Sequence, residues 1–162
     1  MLQLDDLYED YAVDVYRFAY WLSGDSADAE DITSETFVRA WVNNTKIRTE
    51  TLKAYLFTIA RNVFLQGRRK DKRQVELHDV YPDPAPGPEQ AVESRLEIES
   101  VQKVLQTFPE IARAAFLMRV QHELPYREIA RVLEITPSAA RVKVHRIRKA
   151  LLSSRITKEV SR

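Results

Sequence analysis

The sequence predicts an all-α fold in which two small helical domains are joined by a Pro-rich linker. Three observations predict it. Only three glycines occur in 162 residues, too few for the turns of a sheet-rich fold or for a phosphate-cradling loop. Apolar residues recur at steps of three and four through most of the length, which is the period of an amphipathic helix. One segment, Tyr81-Pro82-Asp83-Pro84-Ala85-Pro86-Gly87-Pro88, places four prolines in seven positions. Proline removes backbone donors and restricts its predecessor, so this segment reads as an extended linker. The domains are assigned to residues 1–73 and 96–162, with the linker at 74–95.

The first helix carries Leu4, Leu7, Tyr8, Tyr11, Val15, Phe18, Ala19 and Leu22 on one face, and Gly24-Asp25-Ser26 breaks it. Asp25 or Ser26 can cap the second helix, whose apolar side is Ala29, Ile32, Thr36, Phe37, Ala40 and Trp41. That helix ends at Asn43-Asn44-Thr45. The third helix aligns Leu52, Tyr55, Leu56, Ile59, Ala60, Val63 and Phe64 and runs into Arg68-Arg69-Lys70-Asp71-Lys72-Arg73. Beyond the linker, Ile98, Val101, Val104, Leu105 and Phe108 mark a helix that ends near Pro109, and another follows from about Glu110 to Val120. Trp21 and Trp41 are read as core or helix-packing residues, and His78 and His122 as exposed.

Composition removes several function classes. No cysteine is present, which excludes disulfides and thiolate metal sites. No apolar run approaches the roughly 20 residues that span a bilayer. The start Met1-Leu2-Gln3-Leu4-Asp5-Asp6 lacks the basic and apolar stretches of a signal peptide, so a cytoplasmic location is expected. No His/Asp/Glu cluster has ligand spacing and no nucleophile–base pair stands out. The expectation is therefore no metal, no cofactor and no catalysis.

The net charge of +1 conceals a strong alternation. Residues 1–44 carry −8, residues 45–73 carry +7, residues 74–99 carry −6 and residues 100–162 carry +8. Two basic blocks within helical segments point to two surfaces that face polyanions.

The second block contains the most specific pattern. Leu124-Pro125-Tyr126-Arg127-Glu128-Ile129-Ala130-Arg131-Val132-Leu133 is a short helix with proline in its first turn. Glu134-Ile135-Thr136 forms a turn, and Thr136-Pro137 starts a longer helix with threonine as N-cap and proline at N1. A short helix, a tight turn and a long basic helix make a helix-turn-helix, in which the second helix enters the major groove. Ile129, Ala130 and Leu133 supply the packing between the two helices. The last helix buries Ala140, Val144, Ile147 and Leu151 and turns Ser138, Arg141, His145 and Arg148 outward, with Lys143, Arg146 and Lys149 at the flanks. The planar guanidinium fork suits guanine edges and phosphates alike.

Leu105-Gln106-Thr107-Phe108-Pro109-Glu110, Arg113, Phe116-Leu117-Met118-Arg119 and Leu124 to Ala130 together resemble region 4 of extracytoplasmic-function sigma factors, of the sigma-70 family. Asp28 to Trp41 resembles the polymerase-binding helix of region 2, and Leu52 to Asn62 resembles its promoter −10 helix. These matches follow the family's order. The resemblance implies an alternative sigma factor that binds core RNA polymerase and directs initiation at promoters through their −35 and −10 elements. It also implies an anti-sigma factor as partner, and no membrane insertion.

Residue by residue, the resemblance places Asp31, Ser34, Glu35 and Arg39 against the clamp coiled coil of the polymerase largest subunit. It gives Arg61, Asn62, Arg68, Arg69 and Lys70 to the −10 element, with Asn62 reading a base and the loop Asn43–Thr51 as the place for an extruded one. It gives Ser138, Arg141, Lys143, His145, Arg146 and Lys149 to the −35 element. The chain departs from the family at Ser34, where glutamine is common, and at Ser138-Ala139-Ala140, where glycine, threonine and valine are usual. It departs also at Glu134, which replaces a common turn glycine. An alternative is a stand-alone helix-turn-helix transcriptional regulator, which leaves residues 1–73 without a role.

Overall fold

A computed structural model describes the backbone of residues 4–43, 51–71 and 89–160, and the side chains of 5–43, 51–68 and 95–155. Seven α-helices are found among the described residues: α1 (Leu4–Ser23), α2 (Ser26–Val42), α3 (Leu52–Asp71), α4 (Glu89–Gln106), α5 (Glu110–Phe116), α6 (Tyr126–Leu133) and α7 (Pro137–Val160). The proline segment lies outside the described residues. Helix α4 begins at Glu89, so its first two turns fall within the stretch 74–95.

The first three helices pack into one bundle. Helix α1 ends where Gly24 adopts φ 79°, and the Gly24 N–H bonds back to the Tyr20 carbonyl at 2.8 Å. Only glycine enters this left-handed region without strain, which makes it a standard helix terminator. Asp25 then caps α2, its carboxylate accepting from the Asp28 N–H at 2.9 Å. The core joins Val15, Phe18, Ala19 and Leu22 of α1 to Ala29, Ile32, Phe37 and Ala40 of α2 and to Leu56, Ala60 and Phe64 of α3. Phe18 and Phe57 stack at 4.6 Å. Thr33 and Thr36 sit in the same core because their hydroxyls donate to the Ala29 and Ile32 carbonyls one turn back. Trp21 is half-buried against this core, but Trp41 departs from expectation. It is 48% exposed because α2 turns that edge to solvent together with Val38 and Val42.

The last four helices build a second unit around Leu105, Ala115, Phe116, Leu117, Ile129, Leu133, Ala140, Val144 and Ile147. Helix α5 continues into a π-helical turn, Leu117–Gln121. The two units then dock on each other. Their shared surface buries Ala54 and Phe57, which lie off the apolar stripe of α3, and it includes polar bonds across the junction. The Arg113 guanidinium is 2% exposed and donates to the Leu22 carbonyl at 3.0 and 3.2 Å and to the Phe108 carbonyl at 2.8 Å. Burial lowers its pKa from the ordinary arginine value, with nearby Arg68 acting in the same direction and Glu110 opposing. Gln102 donates to the Tyr20 carbonyl at 3.1 Å. Thus the Leu22 carbonyl at the end of α1 finds its partner in the second unit, and the Tyr20 carbonyl, already bonded to the Gly24 N–H, accepts a second hydrogen bond from it.

His122 corrects a second expectation. It is buried rather than exposed, because the π-helical turn carries it out of the second unit into a slot between Phe18 and Phe57. His78 lies outside the described residues.

Candidate nucleic-acid and polymerase interfaces

The helix-turn-helix is built as its sequence requires. Pro125 N-caps α6 with φ −67°, and Ile129, Ala130 and Leu133 are buried against α7. Glu134 turns the chain at φ 56°, in the left-handed region. That conformation explains why glycine is the common residue there: a Cβ adds strain that the buried helix pair must hold in place. The Glu134 N–H bonds to the Ala130 carbonyl, and Ile135 reaches the same carbonyl at 3.0 Å. Thr136 accepts from the Ala139 N–H at 3.1 Å and starts α7.

On α7, Ala140, Val144 and Ile147 are fully buried, and Leu151 is half-buried. Their burial turns Ser138, Arg141, His145, Arg146 and Lys149 to solvent, with Lys143 half-exposed beside them. These residues therefore share one open basic face. Tyr126, in the first turn of α6, lies under two guanidinium groups. Arg119 stands 4.6 Å from its ring centroid and Arg141 stands 5.2 Å away. A guanidinium over an aromatic face loses mobility; Arg119 also donates to the Leu124 carbonyl at 3.2 Å, whereas Arg141 is exposed to solvent. Sequence reading missed Tyr126, although its place at the start of α6 could have flagged it.

On α2, Asp31, Ser34 and Glu35 are exposed and Arg39 is half-exposed. Arg39 donates to Glu35 at 2.9 Å and to Gln66 of α3 at 2.7 Å, so its head is fixed against the third helix. With Val38, Trp41 and Val42 exposed on the same helix, this surface offers charge and apolar area together.

The second basic block is divided. Asn62 is exposed, and so is Arg68, whose guanidinium lies 5.2 Å from the Phe64 ring centroid. Arg61 is 16% exposed and gripped by Glu110, its Nε at 3.0 Å from one carboxylate oxygen and its Nη2 on the other. Arg69 and Lys70 continue α3, but their side chains lie outside the described residues, as does most of the loop Asn43–Thr51. Among the described residues, no group of three His, Cys, Asp or Glu side chains is arranged to hold a metal ion, and no helix is long and apolar enough to cross a membrane.

An exposed basic helix-turn-helix is docked on a three-helix bundle with an acidic outer face, and each of the two matches a region of the sigma-70 family. Residues 7–74 match Sigma-70 region 2, and residues 98–151 match Sigma-70, region 4. The chain belongs to the extracytoplasmic-function (ECF) sigma factor family. It is 35% identical to ECF RNA polymerase sigma factor SigE of Mycolicibacterium smegmatis, over 91% of this chain and 59% of that protein. It is 30% identical to ECF RNA polymerase sigma factor EcfG of Rhodopseudomonas palustris, over 83% of this chain and 75% of that one. With SigM of Bacillus subtilis it shares 28% identity over 93% of both. The fold is similar to that of the sigma factor RpoE from Bartonella quintana, crystallised with the anti-sigma factor NepR. The TM-score there is 0.75, with 24% identity over 93% of this chain and 94% of that one.

Proposed function

We propose that this chain is an alternative sigma factor that binds core RNA polymerase and directs initiation at promoters carrying its own −35 and −10 elements. The observation that carries this reading is the pairing of an open basic face on α7 with a second, separately built domain that matches region 2. A stand-alone regulator needs the helix-turn-helix only and leaves residues 7–74 without a role.

The domains are assigned as 1–73 for core enzyme and the −10 element, 74–95 as linker, and 96–162 for the −35 element. Asp31, Ser34, Glu35 and Arg39 meet the polymerase clamp, which suits the acidic character of residues 1–44. Arg141, with Ser138, Lys143, His145, Arg146 and Lys149, meets the −35 duplex. Bidentate arginine–guanine pairing supplies base discrimination there, and the flanking cations supply salt-dependent phosphate contacts. Asn62 reads a −10 base as the strands separate, while Arg61, Arg68, Arg69 and Lys70 hold backbone. Chemistry stays with the polymerase, so the chain needs no catalytic group or cofactor of its own. It works in the cytoplasm, where polymerase and promoter DNA are found. An anti-sigma factor is its regulator, in keeping with the complex in which the similar Bartonella quintana protein was crystallised.

Run-off transcription from genomic DNA by core polymerase, with and without the chain, tests this reading. The expected result is a set of transcripts that depend on the chain. Their absence, together with failure to co-purify with core enzyme, would refute it.

A further inference from the structure

The helix assigned to the −10 element and the helix-turn-helix assigned to the −35 element touch in this structure. The Thr51 hydroxyl, just before α3, donates to Glu128 of α6 at 3.1 Å, and Glu128 is 4% exposed. Elements named for positions 35 and 10 are about 25 base pairs apart, which is roughly 85 Å of duplex at 3.4 Å per pair. Helix α7, the longest among the described residues, spans about 36 Å at 1.5 Å per residue. A chain whose two readers are in contact cannot reach both elements, so promoter binding requires the units to separate. The closed form also withdraws Arg61 from DNA, because Glu110 occupies its guanidinium fork.

His122 occupies the centre of the contact. The π-helical turn Leu117–Gln121 and the positive φ of Glu123, 57°, deliver it across the junction. Such turns cost backbone regularity and are frequent at functional positions. The imidazole lies 4.6 Å from the Phe57 ring centroid and 6.3 Å from that of Phe18. Its Nε2 is buried without a hydrogen-bond partner in the protein, and its Nδ1 is 4.0 Å from Asp14. The charged groups that face it are Asp14 and Arg17 from α1 and Lys53 from α3; Lys53 itself stands 3.7 Å from Asp14. One carboxylate that is shared with a lysine, beside an arginine and two phenyl rings, does not make a home for an imidazolium.

We propose that the closed form is a self-masking latch and that His122 makes it proton-sensitive, the neutral ring holding the units together and the imidazolium releasing them. This rests on the sigma reading for what is masked, but not for how the latch opens. Burial lowers the His122 pKa to about 4, against the pull of Asp14, while Lys53 and Arg17 add to the lowering. In the open form the ring regains an ordinary value near 6.5. Above that value both forms carry a neutral ring, and closure does not depend on this proton. As pH falls towards 4 the open form binds the proton first, so closure weakens, by about thirtyfold at pH 5.

The chain has no cysteine, so a Glu30→Cys, Leu152→Cys double variant of the full chain takes a dye pair only at these exposed positions of the two units. Energy transfer is expected to be efficient at pH 8 and to fall below pH 6.5 while far-UV helicity is retained. With His122→Phe added, which fills the slot without a titrating group, transfer should stay high to pH 5. With Glu110→Ala added, it should be lower at pH 8. Unchanged transfer in the parent between pH 8 and pH 5 would overturn the latch. So would a parallel loss in His122→Phe, or a loss that coincides with melting of the helices. The measurement uses no polymerase, so transcripts in the run-off assay with unchanged transfer would keep the sigma reading and remove the latch.

Discussion

The two basic surfaces of this chain are presented differently. On α7 the cations stand open to solvent, held by a stripe of Ala140, Val144 and Ile147 that packs within their own domain. On α3, Arg61 is paired with Glu110 of the other domain, and Phe57 is covered by His122. The first surface is complete as soon as its helix-turn-helix folds. The second depends on where the neighbouring domain lies. One basic surface is thus set by packing within its own unit, and the other by a contact with the neighbouring unit.

Variants that break or sharpen this contrast differ in size of effect. Phe57→Ala removes a ring that stacks on Phe18 and also floors the slot for His122. It should cost about 3–5 kcal/mol in the N-terminal domain, seen as a lower thermal midpoint, and should loosen the domain contact too. Arg141→Ala should weaken use of the −35 element by about 1–3 kcal/mol, leaving −10 preference unchanged. Asn62→Ala should do the reverse. Transcription from promoter variants scores both, and the contrast fails if each variant keeps wild-type promoter choice.

Glu110→Ala exposes Arg61 without touching α7. Affinity of the isolated chain for non-specific DNA should rise modestly, and the salt slope should steepen by about one unit. An unchanged slope would mean that Arg61 has no phosphate within reach. Glu134→Gly is the smallest change. It relieves a left-handed residue in the turn and should raise stability by roughly 1 kcal/mol, with promoter choice intact. A loss of −35 use in that variant would show that turn rigidity takes part in recognition.

Much of this architecture was legible in the sequence. The helix-turn-helix could be read because each instruction is local: Thr136 caps, Pro137 starts, and the 3.6-residue period separates Val144 from Arg141. The region 2 helices followed from the same period. The domain contact had no periodic signature. Ala54 and Phe57 fall off the apolar stripe of α3 and are buried only because another unit covers them. Arg113 stood in an apolar run, Ile111-Ala112-Arg113-Ala114-Ala115-Phe116, where a lone charge signals a buried partner. That signal was available and is met by the Leu22 carbonyl. A single histidine carries none, and His122 was misread. Trp41 failed for the opposite reason, since a large apolar residue at the edge of a stripe can serve a partner as well as a core.

The central claim is that one chain recognises a promoter at two separated points. Footprinting core polymerase with and without the chain, on a promoter recovered by run-off transcription, tests it most directly. The account predicts chain-dependent protection at both elements, with Arg141→Ala losing the upstream patch and retaining the downstream one. Protection confined to a single element would contradict it.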